Sequence, residues 1–171
     1  MSTTTNDSPR TLPDPTAGYA PGEQRPLAAY GVLTGAFFAA LGGSLAAARA
    51  SGREIDRPGA LDVVLHGLAI QKASRLIAKD KVTSFLRAPF TRYQEASGQG
   101  EVEETPRGDG LRYAVGELLV CPYCVAQWVA GGFAVGHLFA PRTTRFLSAL
   151  WAAQGIADGV QLAYSAGETQ T

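Results

Sequence analysis

Residues 26–48 read PLAAYGVLTGAFFAALGGSLAAA, a run without one charged side chain. A helix that crosses the hydrocarbon core of a bilayer needs about 20 apolar residues in succession, and this stretch supplies them. The alternative is the buried core helix of a water-soluble bundle, kept open by the run's modest Leu and Ile content. Gly31 and Gly35 form a G-x-x-x-G pair, which lets two helix backbones approach closely.

The rest of the chain repeats the pattern. Residues 118–141, LLVCPYCVAQWVAGGFAVGHLFAP, again lack formal charge and hold Gly132 and Gly136 at the same spacing. Residues 146–167 carry one charge, Asp158, and a third pair, Gly155 and Gly159. Residues 59–79 are less apolar. Leu61, Leu65 and Leu68 recur at helical spacing, and the stripe continues as Lys72, Arg75 and Lys79. That helix either spans, with its cations snorkelling to an interface, or lies on the membrane surface; spanning is preferred. The predicted fold is therefore all-α, a multi-span membrane bundle of four helices at about 26–48, 59–79, 118–140 and 144–166, forming one domain over residues 26–167.

Two polar segments flank these runs. Residues 1–25 hold Pro9, Pro13, Pro15 and Pro21 among Ser, Thr, Asp and Gly, and bury too little apolar surface to offset their ordering entropy. They are predicted to form a disordered tail, with no cleavable signal peptide. Residues 80–117 are predicted to be a water-exposed polar loop, irregular or holding a short hairpin. Residues 83–90 extend the second helix until Pro89 stops it. Pro141 to Thr144 are read as a tight connection, with Thr143 or Thr144 capping the last helix.

Lys plus Arg and Asp plus Glu both number 15 among 171 residues, so the chain is neutral and leaves no footprint for nucleic acid. With four spans, both termini and the 80–117 loop share one side. That side holds Arg10, Arg25, Lys79, Lys81, Arg87, Arg92, Arg107 and Arg112, against Arg49, Arg53, Arg57, Arg142 and Arg145 on the other. The positive-inside rule then points to cytoplasmic termini of a multi-pass membrane protein.

Two stretches, LDVVLHGLAIQKASRLIAKDKVTSFLRAPF (61–90) and GEVEETPRGDGLRYAVGELLVCPYCVAQW (100–128), resemble a bacterial family catalogued as domain of unknown function 1360. The shared features are the basic helix with Asp80, then Arg87-Ala88-Pro89-Phe90, and Cys121-Pro122-Tyr123-Cys124 with Trp128. The resemblance covers roughly residues 59–165. It implies a small multi-span membrane protein without an assigned activity, and offers no catalytic residues.

Several residues are candidates for chemistry. Cys121 and Cys124 form a C-x-x-C at a helix start, where the helix dipole and free N–H groups stabilise a thiolate. No βαβ pattern surrounds them, so a glutaredoxin fold is excluded, and packing at a helix end is the plainer reading. His137 falls where a zinc finger's first His would stand, but the second is missing, so no metal is predicted. His66 and His137 are read as hydrogen-bonded polar residues between helices. Asp158 is predicted to face the bundle interior, with Lys72 or Arg75 as partner. Lys72, Arg75, Lys79, Lys81 and Arg87 are read as flanking charge, with anionic headgroups as the alternative. Glu101, Glu103 and Glu104 are read as a solvated acidic loop, and Trp128 as an interface anchor. No hydrolase, nucleotide, metalloprotease or dinucleotide fingerprint occurs, and no cofactor is predicted. The leading function is thus a non-enzymatic structural or scaffolding membrane protein. It is held by lipid and, through the Gly-x-x-x-Gly faces, by a membrane-protein partner or a second copy. A thiol-redox membrane protein and a small transporter subunit are the rivals.

Overall fold

A computed structural model describes residues 18–55, 57–98 and 100–168. Most of the predicted tail, residues 1–17, lies outside them; Gly18 to Arg25 form turns leading into the first helix.

Four long helices build the molecule: α1 (Leu27–Ala50), α2 (Ala60–Lys79), α5 (Pro122–Phe139) and α6 (Pro141–Glu168). Between α2 and α5 come a single 3-10 turn (Lys81–Thr83), the short α3 (Ser84–Arg87), strands β1 (Thr91–Ala96) and β2 (Val102–Pro106), and α4 (Gly110–Val120). Contacts along the helices fix their directions. Asp62 meets Arg145 and Lys72 meets Asp158, so α2 and α6 run parallel. Phe37 packs edge-on against Trp128, and Arg53 stands over the Phe139 ring, so α1 and α5 run parallel. The short connections reverse the chain between the two pairs. The result is an up-down-up-down bundle. The hairpin and the N-terminal turns lie at one end, and the α1–α2 connection lies at the other.

Small side chains form the centre. Ala29, Ala48, Ala69, Ala73, Ala78, Ala114 and Ala152 are buried, with Ser74 and Ser148 beside them. Small residues let helix backbones come close enough for dispersion contacts along their length. The bulky apolar residues point outward: Val32, Phe38, Leu61, Val64, Phe146, Leu150, Ile156 and Val160 are all exposed.

Four expectations change. The chain is not purely helical, because β1 and β2 pair antiparallel, with a bulge between Tyr93 and Glu95. Gly98 and Gly100 sit at φ +78° and +80°, which glycine adopts without a Cβ clash, and they close the turn. The 80–117 segment is thus a folded platform rather than a loop. Residues 83–90 do not prolong α2, because Asp80 is extended (φ −65°, ψ 138°) and its carboxylate instead accepts the Val82 N–H at 2.9 Å. The third apolar run is not one helix. Pro122 disfavours helical geometry at Cys121 (φ −100°, ψ 104°), and α4 and α5 meet there at 89°. Pro141 to Thr144 form the first turn of α6, not a connection; the Thr144 hydroxyl donates to Ala140 O instead of capping.

Among the described residues, α1 alone is a single helix long and apolar enough to cross a membrane, and the bent α4–α5 pair passes the same measure when taken together. Only two of the Gly-x-x-x-Gly positions are closely packed. A Cβ at Gly136 would come 2.7 Å from Thr144 Oγ1, and one at Gly155 would come 3.5 Å from Lys72 Cβ. Gly31, Gly35, Gly132 and Gly159 face open space.

Candidate functional site at the helix elbow

The break at Cys121 leaves the start of α5 free to act as a helix N-terminus in the middle of an apolar run. Cys121 is its N-cap residue and Pro122 occupies the first turn, where a missing N–H costs nothing. The Cys124 backbone N–H donates to Cys121 Sγ at 3.2 Å. Both thiols are free; Cys121 is half-buried and Cys124 is exposed.

They line a groove of about 550 Å³ between α1, α4 and α5. Leu33, Phe37 and Trp128 form its apolar wall, and Glu117, one helical turn before Cys121, forms its acidic side. The Tyr30 hydroxyl donates to Glu117 Oε2, and an Arg25 guanidinium nitrogen stands 3.8 Å from Glu117 Oε1. Glu23, 2.9 Å away, holds the Arg25 guanidinium above its ordinary range by hydrogen bond and charge. Trp128 is therefore part of this groove, stacked edge-on against Phe37 at 5.5 Å. Glu117 and Tyr30 escape a reading of spacing alone, because Tyr30 reaches the site from a helix almost ninety residues upstream.

The other candidate residues lie elsewhere. The acidic loop is not merely solvated: each of its carboxylates meets one cation of the basic stripe. Arg75 pairs with Glu101 at 2.6 Å, Lys79 with Glu103 at 2.7 Å and Arg87 with Glu104 at 2.9 Å. Arg87 is fully buried. Its guanidinium donates to the carbonyls of Ile77 and Asp80, to Thr83 and Ser84, and to Glu104. It thereby closes the last turn of α2, and Asp80 is one of its acceptors. Burial alone would raise the Glu104 carboxyl, but hydrogen bonds from Arg87 and Thr91 outweigh it and hold the group below the usual range. Lys72 Nζ lies 2.6 Å from Asp158 Oδ2.

His66 and His137 meet edge-on, 5.6 Å apart, between α2 and α5. They are not fully hydrogen-bonded. His66 Nδ1 contacts the Asp62 carbonyl, while His66 Nε2 and His137 Nδ1 are buried without a partner among the described residues. Among those residues no group of three or more His, Cys, Asp or Glu is placed to hold a metal ion.

The fold and this site define a small, mostly helical protein with a charge-paired hairpin at one end and a thiol pair at a helix elbow. The chain belongs to the family described as Protein of unknown function (DUF1360), which matches residues 65–164. Two relatives come from Bacillus subtilis (strain 168). The sporulation protein YjcA is 32% identical over 104 residues, covering 59% of this chain and 88% of that protein. The UPF0713 protein YngL is 32% identical over 110 residues, covering 61% and 81%. No solved structure matches.

Proposed function

We propose that this chain is an integral membrane protein whose α1, α2, α5 and α6 cross a lipid bilayer. In this reading it holds the hairpin, α3 and α4 as a rigid platform at one membrane face, in a structural or scaffolding role. One observation carries this reading. The apolar window of α1 is only 11% buried within the molecule, whereas the core helix of a soluble protein would be mostly covered. Phe146, Leu150, Ile156 and Val160 on α6 repeat the pattern, exposed at 54–69%. Leaving this much apolar surface in water would cost about 25 cal/mol for every Å², and lipid tails remove that cost.

The charges of α2 and α6 fit the same reading, because Lys72 and Asp158 face each other and neither stands alone in hydrocarbon. At about 1.5 Å per residue, α1, α2, α5 and α6 are all roughly 27–42 Å long, which suits a core near 30 Å. The test is fractionation of cells expressing the full chain. The protein should remain in the membrane pellet after alkaline carbonate washing and leave it only with detergent. A monodisperse protein in a detergent-free supernatant would end the proposal. The name of the sporulation relative makes spore formation the process in which such a scaffold can be tried by complementation.

A further inference from the structure

We infer that Cys121 and Cys124 form a reversible dithiol–disulfide couple, with Glu117 as the proton acceptor for Cys124. The inference stands on the elbow, and the crossing of a bilayer is not among its premises. Four observations converge on it. Cys121 Sγ occupies the N-cap position and accepts the Cys124 N–H at 3.2 Å, an arrangement that stabilises negative charge on sulfur. Cys124 follows three residues later in the first turn of α5, on the same helix end as Cys121. Glu117 shares the groove with both thiols, and the Tyr30 hydroxyl and Arg25 steady its carboxylate. Finally, both thiols line the open groove, Cys121 half-buried and Cys124 exposed, so an external disulfide can reach the pair.

The co-reactant is the disulfide of a low-molecular-weight thiol. The Cys121 thiol gives its proton to water, its thiolate attacks one of the disulfide's sulfurs to form a mixed disulfide, and the first thiolate leaves and takes up a proton from water. Cys124 gives its proton to Glu117 and its sulfur attacks Cys121 Sγ. The second thiolate leaves and recovers that proton. Two protein thiols are oxidised and one disulfide is reduced; excess thiol runs the exchange backwards.

The test uses the full chain in detergent micelles, equilibrated with mixtures of reduced and oxidised glutathione, trapped with an alkylating reagent and read by intact mass. The expected result is one two-electron transition to an intramolecular disulfide. Cys124→Ser should trap glutathione on Cys121. Glu117→Gln should leave the capture step unchanged and slow release of the mixed disulfide about tenfold or more, with Glu117→Asp restoring most of the rate. Independent glutathionylation of both thiols without the intramolecular bond would overturn the couple. An unchanged release rate in Glu117→Gln would overturn the role of the carboxylate.

Discussion

Arg87 shows how much one side chain can organise. A guanidinium with no solvent exposure is tolerated only because its donors find acceptors: helix-end carbonyls, two hydroxyls and a carboxylate. Arg87→Met should therefore cost about 3–5 kcal/mol, mostly by stranding Glu104 without its cation, and should show as early unfolding of the hairpin in hydrogen exchange. The same pair makes a pH prediction. Glu104 has a lower pKa folded than unfolded, so the folded state releases its proton first. Its stabilising contribution is complete above the unfolded value of about 4.3 and is lost as pH falls through the folded one. Protease resistance of the hairpin should accordingly decline below about pH 4. A Glu104→Gln hairpin should be weaker at neutral pH and lack that dependence. The sequence shows Arg87 and Glu104 as separate charges; that they meet depends on a turn whose glycines only a folded chain positions.

At the scale of elements, two contacts decide how the platform and the bundle hold together. A Cβ at Gly116 of α4 would come 2.6 Å from the Phe90 carbonyl and 3.0 Å from Pro106 Cβ, so the backbone has no room to yield. Gly116→Ala should destabilise α4 docking by about 1–3 kcal/mol, measured by thermal unfolding, while alanine at Gly31 or Gly35, which face open space, should be nearly silent. The Lys72–Asp158 pair joins α2 to α6, and either half alone is a half-buried charge. Lys72→Met and Asp158→Leu should each lower stability, and the double variant should recover much of the loss, with a coupling of about 0.5–3 kcal/mol. The long helices were legible because uncharged runs of sufficient length allow few alternatives. The elbow was not, because an apolar run looks the same on either side of Cys121, and Pro122 fits the first turn of one helix over about 118–140 as well as the start of a separate α5. α4 was hidden by Arg112 and Glu117, which make a helix that packs on a hairpin read as polar loop.

The whole molecule poses the question of sidedness. Four antiparallel helices place Gly18 to Arg25, the hairpin, the elbow and the end of α6 together, and place the α1–α2 connection and the start of α6 opposite. The first face carries Lys79, Lys81, Arg87, Arg92, Arg107 and Arg112, and the second Arg49, Arg53, Arg57, Arg142 and Arg145. If the four helices cross as proposed, cations near span ends are retained on the cytoplasmic side, and Arg25 adds to the first face. In a chain with both native cysteines changed to serine, a cysteine at Ser97 should thus be shielded from an impermeant maleimide in intact cells and labelled after permeabilisation. A cysteine at Gly52, in the α1–α2 connection, should be labelled in both conditions. Labelling of the two positions on the same side would require an even number of crossings between them, here none, so α2 would lie on the surface rather than cross. The Lys72–Asp158 pair would then bridge two helices at an interface, and the elbow thiols would have to be placed anew relative to the cytoplasm.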